Sequence, residues 1–157
     1  AGGVITVEKD PEVAEVAATN VRNSPWSDKI EVKVGDGMAV LEEVGEGFDL
    51  LFLDANKKQY SNYVRKILEL GTLRVGGMLV VDNVLWKGRV LDLYDKSEEE
   101  RISDWHAKQR RGVMSLVEAD KYAVAMHGFN ELVRDDPRLE VVLLPVRDGL
   151  SIIRRLS

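Results

Sequence analysis

The sequence predicts an α/β fold with a mostly parallel sheet that closes in an antiparallel hairpin. Strand-like and helix-like segments alternate three times between residues 4 and 82, which is typical of βαβ units. Two of the strand-like segments contain the uninterrupted apolar runs LLFL and MLVV, as expected of parallel strands that are covered on both faces. A turn at Asp148-Gly149 between two apolar runs predicts the hairpin.

The first half of the chain divides into elements at recognisable boundary residues. After a strand over 4–7, Asp10 as N-cap and Pro11 in the first turn begin a helix that should end at Arg22. The remaining predicted elements of this half are a strand over 30–34, a helix over 38–43, a strand over 48–53, a helix over 61–70 and a strand over 78–81.

The second half begins with a charged insertion over residues 92–120, within what we predict to be a single domain of residues 1–157. Charged residues are dense around Trp105, which predicts either an exposed amphipathic helix or a lid. Apolar residues three or four apart predict a helix over 119–133. The strands of the hairpin are predicted over 139–146 and 150–156.

Composition and charge argue against several classes of protein. The net charge is −5, from 27 acidic and 22 basic residues without a basic stripe, so we expect no nucleic-acid partner. There is no cysteine, which excludes disulfides, thiolate zinc sites and cysteine nucleophiles. The apolar runs are too short to span a bilayer and no secretory signal is recognisable, so we expect a cytoplasmic protein without a membrane partner.

Two aspartates directly follow the two uninterrupted apolar strands. Asp54 closes FDLLFLD, and Asp82, followed by Asn83, closes GGMLVVD. Ligands bind at the carboxyl ends of strands in open parallel sheets, and carboxylate and amide oxygens suit magnesium, calcium or manganese. These residues therefore predict a divalent cation site, although each could also cap a helix or a turn. Lys57 either assists proton transfer at such a site or faces solvent.

Three further residues have both a functional and a structural interpretation. Glu8, after the first strand, is placed either to accept hydrogen bonds from ribose hydroxyls or as a surface carboxylate near a helix start. Asp36 lies between two glycines that allow close approach of a ligand, but helix capping explains it more simply. Trp86 is either a wall over a flat substrate or a packing residue under the charged segment.

Taken in order, these motifs resemble the caffeoyl-CoA and catechol O-methyltransferase family. The likeness covers most of the chain outside residues 92–120, and its strongest stretch is DNVLW, which begins at Asp82. The resembling stretches are VEKDP at 7–11, VGDG at 34–37, FDLLFLDANKKQY at 48–60, LRVGG at 73–77, DNVLWKG at 82–88 and LPVRDGL at 144–150.

The resemblance implies a Rossmann-like methyltransferase fold. It implies transfer of a methyl group from S-adenosylmethionine, with a divalent cation, to a hydroxyl of a catechol or phenolic small molecule. Lys57 would be the catalytic lysine, and a homodimer would be compatible with the family. The implied metal ligands are Asp54, Asp82 and Asn83. The implied cofactor residues are Glu8, Asp36, Gly37, Asp54 and Asn56, and the implied acceptor residues are Tyr60, Trp86 and Lys87.

The chain also departs from the family pattern. Gly37 stands where alanine is usual, Asn56 where aspartate is common, and the 92–120 segment is longer than usual, which leaves the acceptor open. The family carries a glycine-rich first strand before the part that corresponds to this chain. The resemblance therefore implies an N-terminally incomplete domain, and we expect the isolated chain not to bind S-adenosylmethionine tightly.

Two other functions stay open at this point. Glu8 after a strand also suits a nicotinamide-dependent (NAD) oxidoreductase of the Rossmann type, although such an enzyme would give no reason for the Asp54, Asp82 and Asn83 set. The charged insertion and the missing glycine-rich strand also suit a catalytically degenerate module that serves binding or dimerisation.

Overall fold

The structure, a computed structural model, describes residues 2–95, 97, 100 and 116–157. The predicted helix or lid around Trp105 lies outside the described residues. The chain forms two compact units, residues 1–45 and residues 46–157. No helix in the described part of the chain is long and apolar enough to cross a membrane.

The first unit contains a pair of parallel strands and two helices. Strands β1 (Val4–Glu8) and β2 (Ile30–Val34) pair over their whole length. Helix α1 (Pro11–Arg22) begins after Asp10, whose carboxylate accepts hydrogen bonds from the backbone N–H groups of Glu12 and Val13. This confirms the predicted cap and bounds. Helix α2 (Gly37–Glu43) begins one residue earlier than predicted.

The second unit is built on a four-stranded mixed sheet. Its strands are β3 (Phe48–Leu53), β4 (Leu73–Asp82), β5 (Leu139–Leu144) and β6 (Leu150–Arg155), arranged in the order β3-β4-β6-β5. Strands β3 and β4 are parallel, whereas β6 is antiparallel to both of its neighbours. This arrangement confirms both the predicted βαβ unit and the predicted C-terminal hairpin.

Strand β4 is longer than the sequence predicts, because it continues through Gly76 and Gly77 rather than starting after them. The pairing with β3 shifts between Phe48 and Leu50, so the strand carries an irregularity here. A side chain at position 77 would come within 2.8 Å of Leu73 Cδ1 and 3.1 Å of the Phe48 carbonyl oxygen. The glycines therefore allow a close approach inside a strand, where the sequence alone indicates a turn.

Helices cover the sheet of the second unit and supply most of its core. A 3₁₀ turn (Lys57–Gln59) leads into α3 (Tyr60–Leu70), which ends at the left-handed Gly71. Helix α4 (Arg89–Asp95) was not predicted, and α5 (Leu116–Asp135) extends beyond the predicted helix at both ends. The largest fully buried side chains include Tyr60, Val64, Leu73, Val81, Val84, Met126, Phe129 and Ile153.

Candidate active site

The carboxyl ends of β3 and β4 bring Asp54 and Asp82 side by side. Leu53 lies opposite Val81 in the parallel register, so Asp54, directly after β3, and Asp82, the last residue of β4, lie at the same edge of the sheet. Neighbouring strands are about 4.8 Å apart, which is close enough for two carboxylates to share one cation. The charges of both aspartates also act on the Tyr60 hydroxyl, which places them around one point.

Lys57 lies directly at this edge of the sheet. Its Nζ is 2.6 Å from Asp54 Oδ1, and its side chain is only 15% exposed. The 3₁₀ turn that carries Lys57 begins at Asn56, whose side-chain oxygen accepts a hydrogen bond from the Lys58 amide at 3.1 Å. Asn56 therefore acts as a cap that holds the lysine near Asp54.

The hydroxyl of Tyr60 lies close to Asp54 and Asp82. The residue is fully buried, and the edge of its ring packs on Phe129 with 5.6 Å between centroids. Within the described part of the chain its hydroxyl has no hydrogen-bond partner. Burial raises the pKa of this hydroxyl far above its ordinary value of 10.0, and the charges of Asp54 and Asp82 raise the pKa further. The hydroxyl is thus a proton donor beside two carboxylates.

The loop after β4 holds three non-glycine residues in left-handed backbone conformations. They are Asn83, Trp86 and Lys87, with φ angles of 63°, 43° and 55°. Such conformations are uncommon and persist where the surroundings enforce them. The Trp86 ring lies 4.8 Å from the Tyr122 ring, and Lys87 Nζ lies 5.5 Å from the Trp86 ring. An aromatic surface with an ammonium group beside it therefore follows the Asp82-Asn83 pair.

The remaining predicted cofactor residues lie in the first unit, at the carboxyl ends of β1 and β2. Glu8 Oε1 accepts a hydrogen bond from the Asp10 amide at 2.8 Å. Asp36 caps α2 by accepting from the Met38 amide at 2.9 Å, which confirms the simpler explanation of this residue, and Gly37 begins that helix. The Met38 hydrogen bond, together with Lys9 at 3.4 Å, lowers the pKa of Asp36. The roles of these residues toward a cofactor stay predictions.

Comparison with known proteins decides the family. The sequence profile of the O-methyltransferase family matches residues 1–156 of this chain. The chain belongs to the O-methyltransferase family. This membership favours the methyltransferase prediction over the oxidoreductase alternative. The S-adenosylmethionine-dependent methyltransferase fold that the sequence predicts is confirmed by the solved structures to which this chain is similar.

Several relatives show how far the similarity extends. The chain is 29% identical to caffeoyl-CoA O-methyltransferase 1 of Eucalyptus globulus, with 99% of the chain and 58% of the relative covered. It is 31% identical to flavonoid 3',5'-methyltransferase of Vitis vinifera, with 99% and 60% covered. The structure of Podospora anserina methyltransferase PaMTH1 bound to SAH matches with a TM-score of 0.77 at 26% identity, covering 99% of the chain and 61% of that protein. The chain thus spans about three fifths of these relatives' length.

The donor set at this edge of the sheet fits a hard divalent cation. Asp54 and Asp82 offer carboxylate oxygens and Asn83 an amide oxygen, the ligands that magnesium, calcium and manganese prefer. In the part of the chain that the structure describes, no group of three or more histidine, aspartate or glutamate side chains could hold a metal. A cation at Asp54 and Asp82 would therefore need the amide, water or an acceptor oxygen to complete its shell. The unpartnered Tyr60 hydroxyl could donate to a liganding carboxylate.

Sequence reasoning missed Asp148 as part of this site. It indicated only a turn, yet the Asp148 side chain contacts Asn83, 65 positions earlier in the chain. A contact over that distance leaves no local pattern. Lys58 and Tyr122 were missed in the same way, since Lys58 Nζ lies 5.0 Å from the Tyr122 ring.

Proposed function

We propose that the protein transfers a methyl group from S-adenosylmethionine to a hydroxyl of a catechol or phenolic small molecule, with a divalent cation bound at the site. The observation that carries this proposal is the convergence of Asp54, Asp82 and Lys57 at one sheet edge, in a member of the O-methyltransferase family. The names of its relatives, a caffeoyl-CoA and a flavonoid methyltransferase, support a phenolic acceptor.

Asp54, Asp82 and Asn83 would hold the cation. A bound cation of this kind acts as a Lewis acid that stabilises a deprotonated hydroxyl oxygen. Lys57 places a second positive charge at Nζ, 2.6 Å from Asp54, where the acceptor hydroxyl would lose its proton. The Lys57 side chain is largely buried, which strengthens the electrostatic effect of its charge because little water surrounds it.

Glu8, Asp36, Gly37, Asp54 and Asn56 are the residues that we propose to contact the methyl donor. The Asn56 side chain already caps its own turn, so its contribution would be to hold the backbone of that turn rather than to supply charge. Trp86 and Lys87 would border the acceptor, with the indole offering a flat face and the ammonium attracting a negatively charged substituent. Tyr60 would act through its hydroxyl on Asp54 and Asp82, since its ring and its hydroxyl are both buried.

The test is a methyl-transfer assay on the complete gene product, with S-adenosylmethionine and a catechol. We expect turnover that needs a divalent cation and disappears when a chelator removes it. Lys57→Ala and Asp82→Ala should each lower kcat by about 10²–10⁴-fold, the range that a proton-transfer or charge-stabilising group contributes. Lys29→Ala, which removes an exposed lysine that stacks on Trp26, should leave kcat unchanged.

Turnover that is indifferent to the chelator would contradict the cation's role. If the folded protein binds the donor but transfers no methyl group to any catechol or phenol, the degenerate binding module would be the better explanation. A homodimer and a cytoplasmic location also stay predictions, which size measurement and fractionation can check.

A further inference from the structure

Both oxygens of the Asp148 carboxylate are engaged by the loop that carries the candidate metal ligand Asn83. Oδ2 accepts a hydrogen bond from Asn83 Nδ2 at 3.3 Å, and Oδ1 accepts one from the backbone N–H of Lys87. Asp148 therefore contacts the first and the last of the three left-handed residues after β4, Asn83 and Lys87.

The backbone around Asp148 is fixed against the same loop. The Leu85 amide donates to the Asp148 carbonyl at 2.9 Å, and the Val84 amide donates to the Gly149 carbonyl at 3.2 Å. At Gly149 a side chain would come within 2.5 Å of Leu85 Cγ, so the two segments are in tight contact. The backbone that carries the Asp148 carboxylate is thus held in place next to Asn83.

The hydrogen bond to Asp148 determines the orientation of the Asn83 side-chain amide, that is, whether its NH₂ group or its oxygen points toward Asp148. An ionised carboxylate only accepts hydrogen bonds, so it selects the amide's NH₂ group and directs the amide oxygen away from itself. The backbone N–H of Asn83 is held separately, by Asp82 Oδ1 at 2.7 Å. A cation requires the oxygen of the amide, because an NH₂ group has no lone pair to offer it.

We propose that Asp148 is a positioning residue that turns the oxygen of Asn83, rather than its nitrogen, toward the divalent cation. The inference rests on the proposed function of Asp54, Asp82 and Asn83 as metal ligands. Hydrogen bonds from behind a ligand set its orientation, and their loss typically lowers metal affinity by about 10–100-fold. The role lies in orientation, since Asp148 itself is not counted among the ligands.

The decisive variant is Asp148→Asn, which keeps the size of the side chain and one acceptor oxygen. If that oxygen keeps the Lys87 N–H, the new NH₂ group faces Asn83, which must turn its own oxygen toward position 148. The amide nitrogen would then face the cation. With Mn²⁺ alone as the probe, followed by the electron paramagnetic resonance of free Mn²⁺, we expect Kd to rise by about 10–100-fold.

A second variant restores the pairing of an amide donor with a carboxylate acceptor at unchanged net charge. Combining Asn83→Asp with Asp148→Asn exchanges the two groups, so that an amide donor again faces a carboxylate acceptor and the net charge is unchanged. We expect the double variant to bind Mn²⁺ at least as tightly as the wild type. Asp49→Asn, which removes an exposed carboxylate on the same unit, should leave Kd unchanged.

Each outcome decides between the two proposals. A wild type that binds no Mn²⁺ would overturn the metal site and the role of Asp148 together. A wild type that binds, with the same Kd in Asp148→Asn, would overturn the role of Asp148 alone. A weakened single variant that the double variant does not rescue would overturn the orienting role of Asp148, because the double variant restores both the net charge and the donor–acceptor pair. If Asp148→Asn does not fold, the double variant decides, and it must fold and bind Mn²⁺ for the proposal to stand.

Discussion

Tyr60 shows how one residue can join the core to the candidate site. Its ring is buried against Phe129, while its hydroxyl lies near the charges of Asp54 and Asp82 without a hydrogen-bond partner in the described part of the chain. Ionisation of this hydroxyl would put a third negative charge beside two others in a region shielded from water. Burial first, and then the two aspartates, therefore raise its pKa.

This raised pKa predicts how stability depends on alkaline pH. An unfolded tyrosine releases its proton around pH 10.0, whereas folded Tyr60 retains it. Between those two pKa values the folded state binds one more proton, so the free energy of unfolding should fall with rising pH. The slope is about 1.4 kcal/mol per pH unit. Below pH 10 this contribution is fully present, and it is lost as the pH rises toward the folded pKa.

Tyr60→Phe tests this prediction, because it removes the titrating group and keeps the ring. Urea unfolding at a series of pH values should give a shallower loss of stability above pH 10 in the variant than in the wild type. At pH 8 the variant should be as stable as the wild type or more stable by about 1 kcal/mol, because it no longer buries an unpartnered hydroxyl. Equal alkaline slopes in both proteins would contradict the prediction.

At the scale of elements, the contact between the β5–β6 turn and the loop after β4 depends on Gly149. Its φ angle is 84°, and an added Cβ would lie 2.5 Å from Leu85 Cγ and 2.8 Å from the Leu85 nitrogen. Gly88 has a similar φ of 74° in the same unit, but no atom lies within 4 Å of an added Cβ. The two glycines therefore have similar backbone conformations, but only at Gly149 would a side chain clash with neighbouring atoms.

Alanine at the two positions should separate these effects. Gly88→Ala should lower the free energy of unfolding by about 1 kcal/mol, the cost of a left-handed non-glycine residue. Gly149→Ala should lower it by about 3 kcal/mol or more, since the clash with Leu85 forces the two segments apart. Chemical denaturation of both variants supplies the comparison. Equal losses would mean that the turn yields easily and is not a rigid support.

The elements that the sequence predicted well are those with local signals. Helix α1 has its observed bounds because Asp10 and Pro11 mark its start within a few residues, and the hairpin follows from Asp148-Gly149. The extension of β4 through Gly76 and Gly77 was not predictable, since it depends on the nearby Phe48 backbone. Helix α4 was missed because it follows directly on a loop whose left-handed residues, Trp86 and Lys87, have no local sequence signal.

The residues of the candidate site also differ in how far local sequence signals predict them. Asp54, Asp82 and Asn83 were predictable because strand ends are visible in the sequence and parallel strands end at one edge. The burial of Tyr60 and the contact between Asp148 and Asn83 were not, since both result from packing of segments far apart in the chain. Local pattern thus indicated the candidate ligands, and only the tertiary structure revealed the contact between Asp148 and Asn83.

At the scale of the whole molecule, the two halves of the proposed chemistry lie on different parts of the chain. Asp54, Asp82, Asn83 and Lys57 all belong to residues 46–157, whereas Glu8 belongs to residues 1–45. Within the described residues, β1 pairs only with β2 and β3 pairs only with β4, so each strand has one unpaired edge. An unpaired edge on a strand leaves backbone groups unsatisfied and weakens the register of that strand.

Two apolar side chains of β3 are exposed on the strand whose edge is unpaired. Leu50 is 55% exposed and Phe52 63% exposed, although they belong to the strand that ends in Asp54. Exposed apolar residues on a strand with one unpaired edge are expected to be mobile in solution, because few contacts hold them. Asp82 is less affected, since it ends β4, which is paired on both sides, with β3 and with β6.

The isolated 157-residue chain should therefore bind a divalent cation but not S-adenosylmethionine. We expect titration calorimetry to show Mn²⁺ binding that Asp82→Ala abolishes and that Glu8→Gln leaves intact, because Asp82 lies on the doubly paired β4 and Glu8 in the other unit. The same titration with S-adenosylmethionine should give no binding in the micromolar range, since the strands that carry Glu8 and Asp54 each keep an open edge. Micromolar or tighter binding of the methyl donor would contradict this prediction and would show that residues 1–157 hold both halves of the site by themselves.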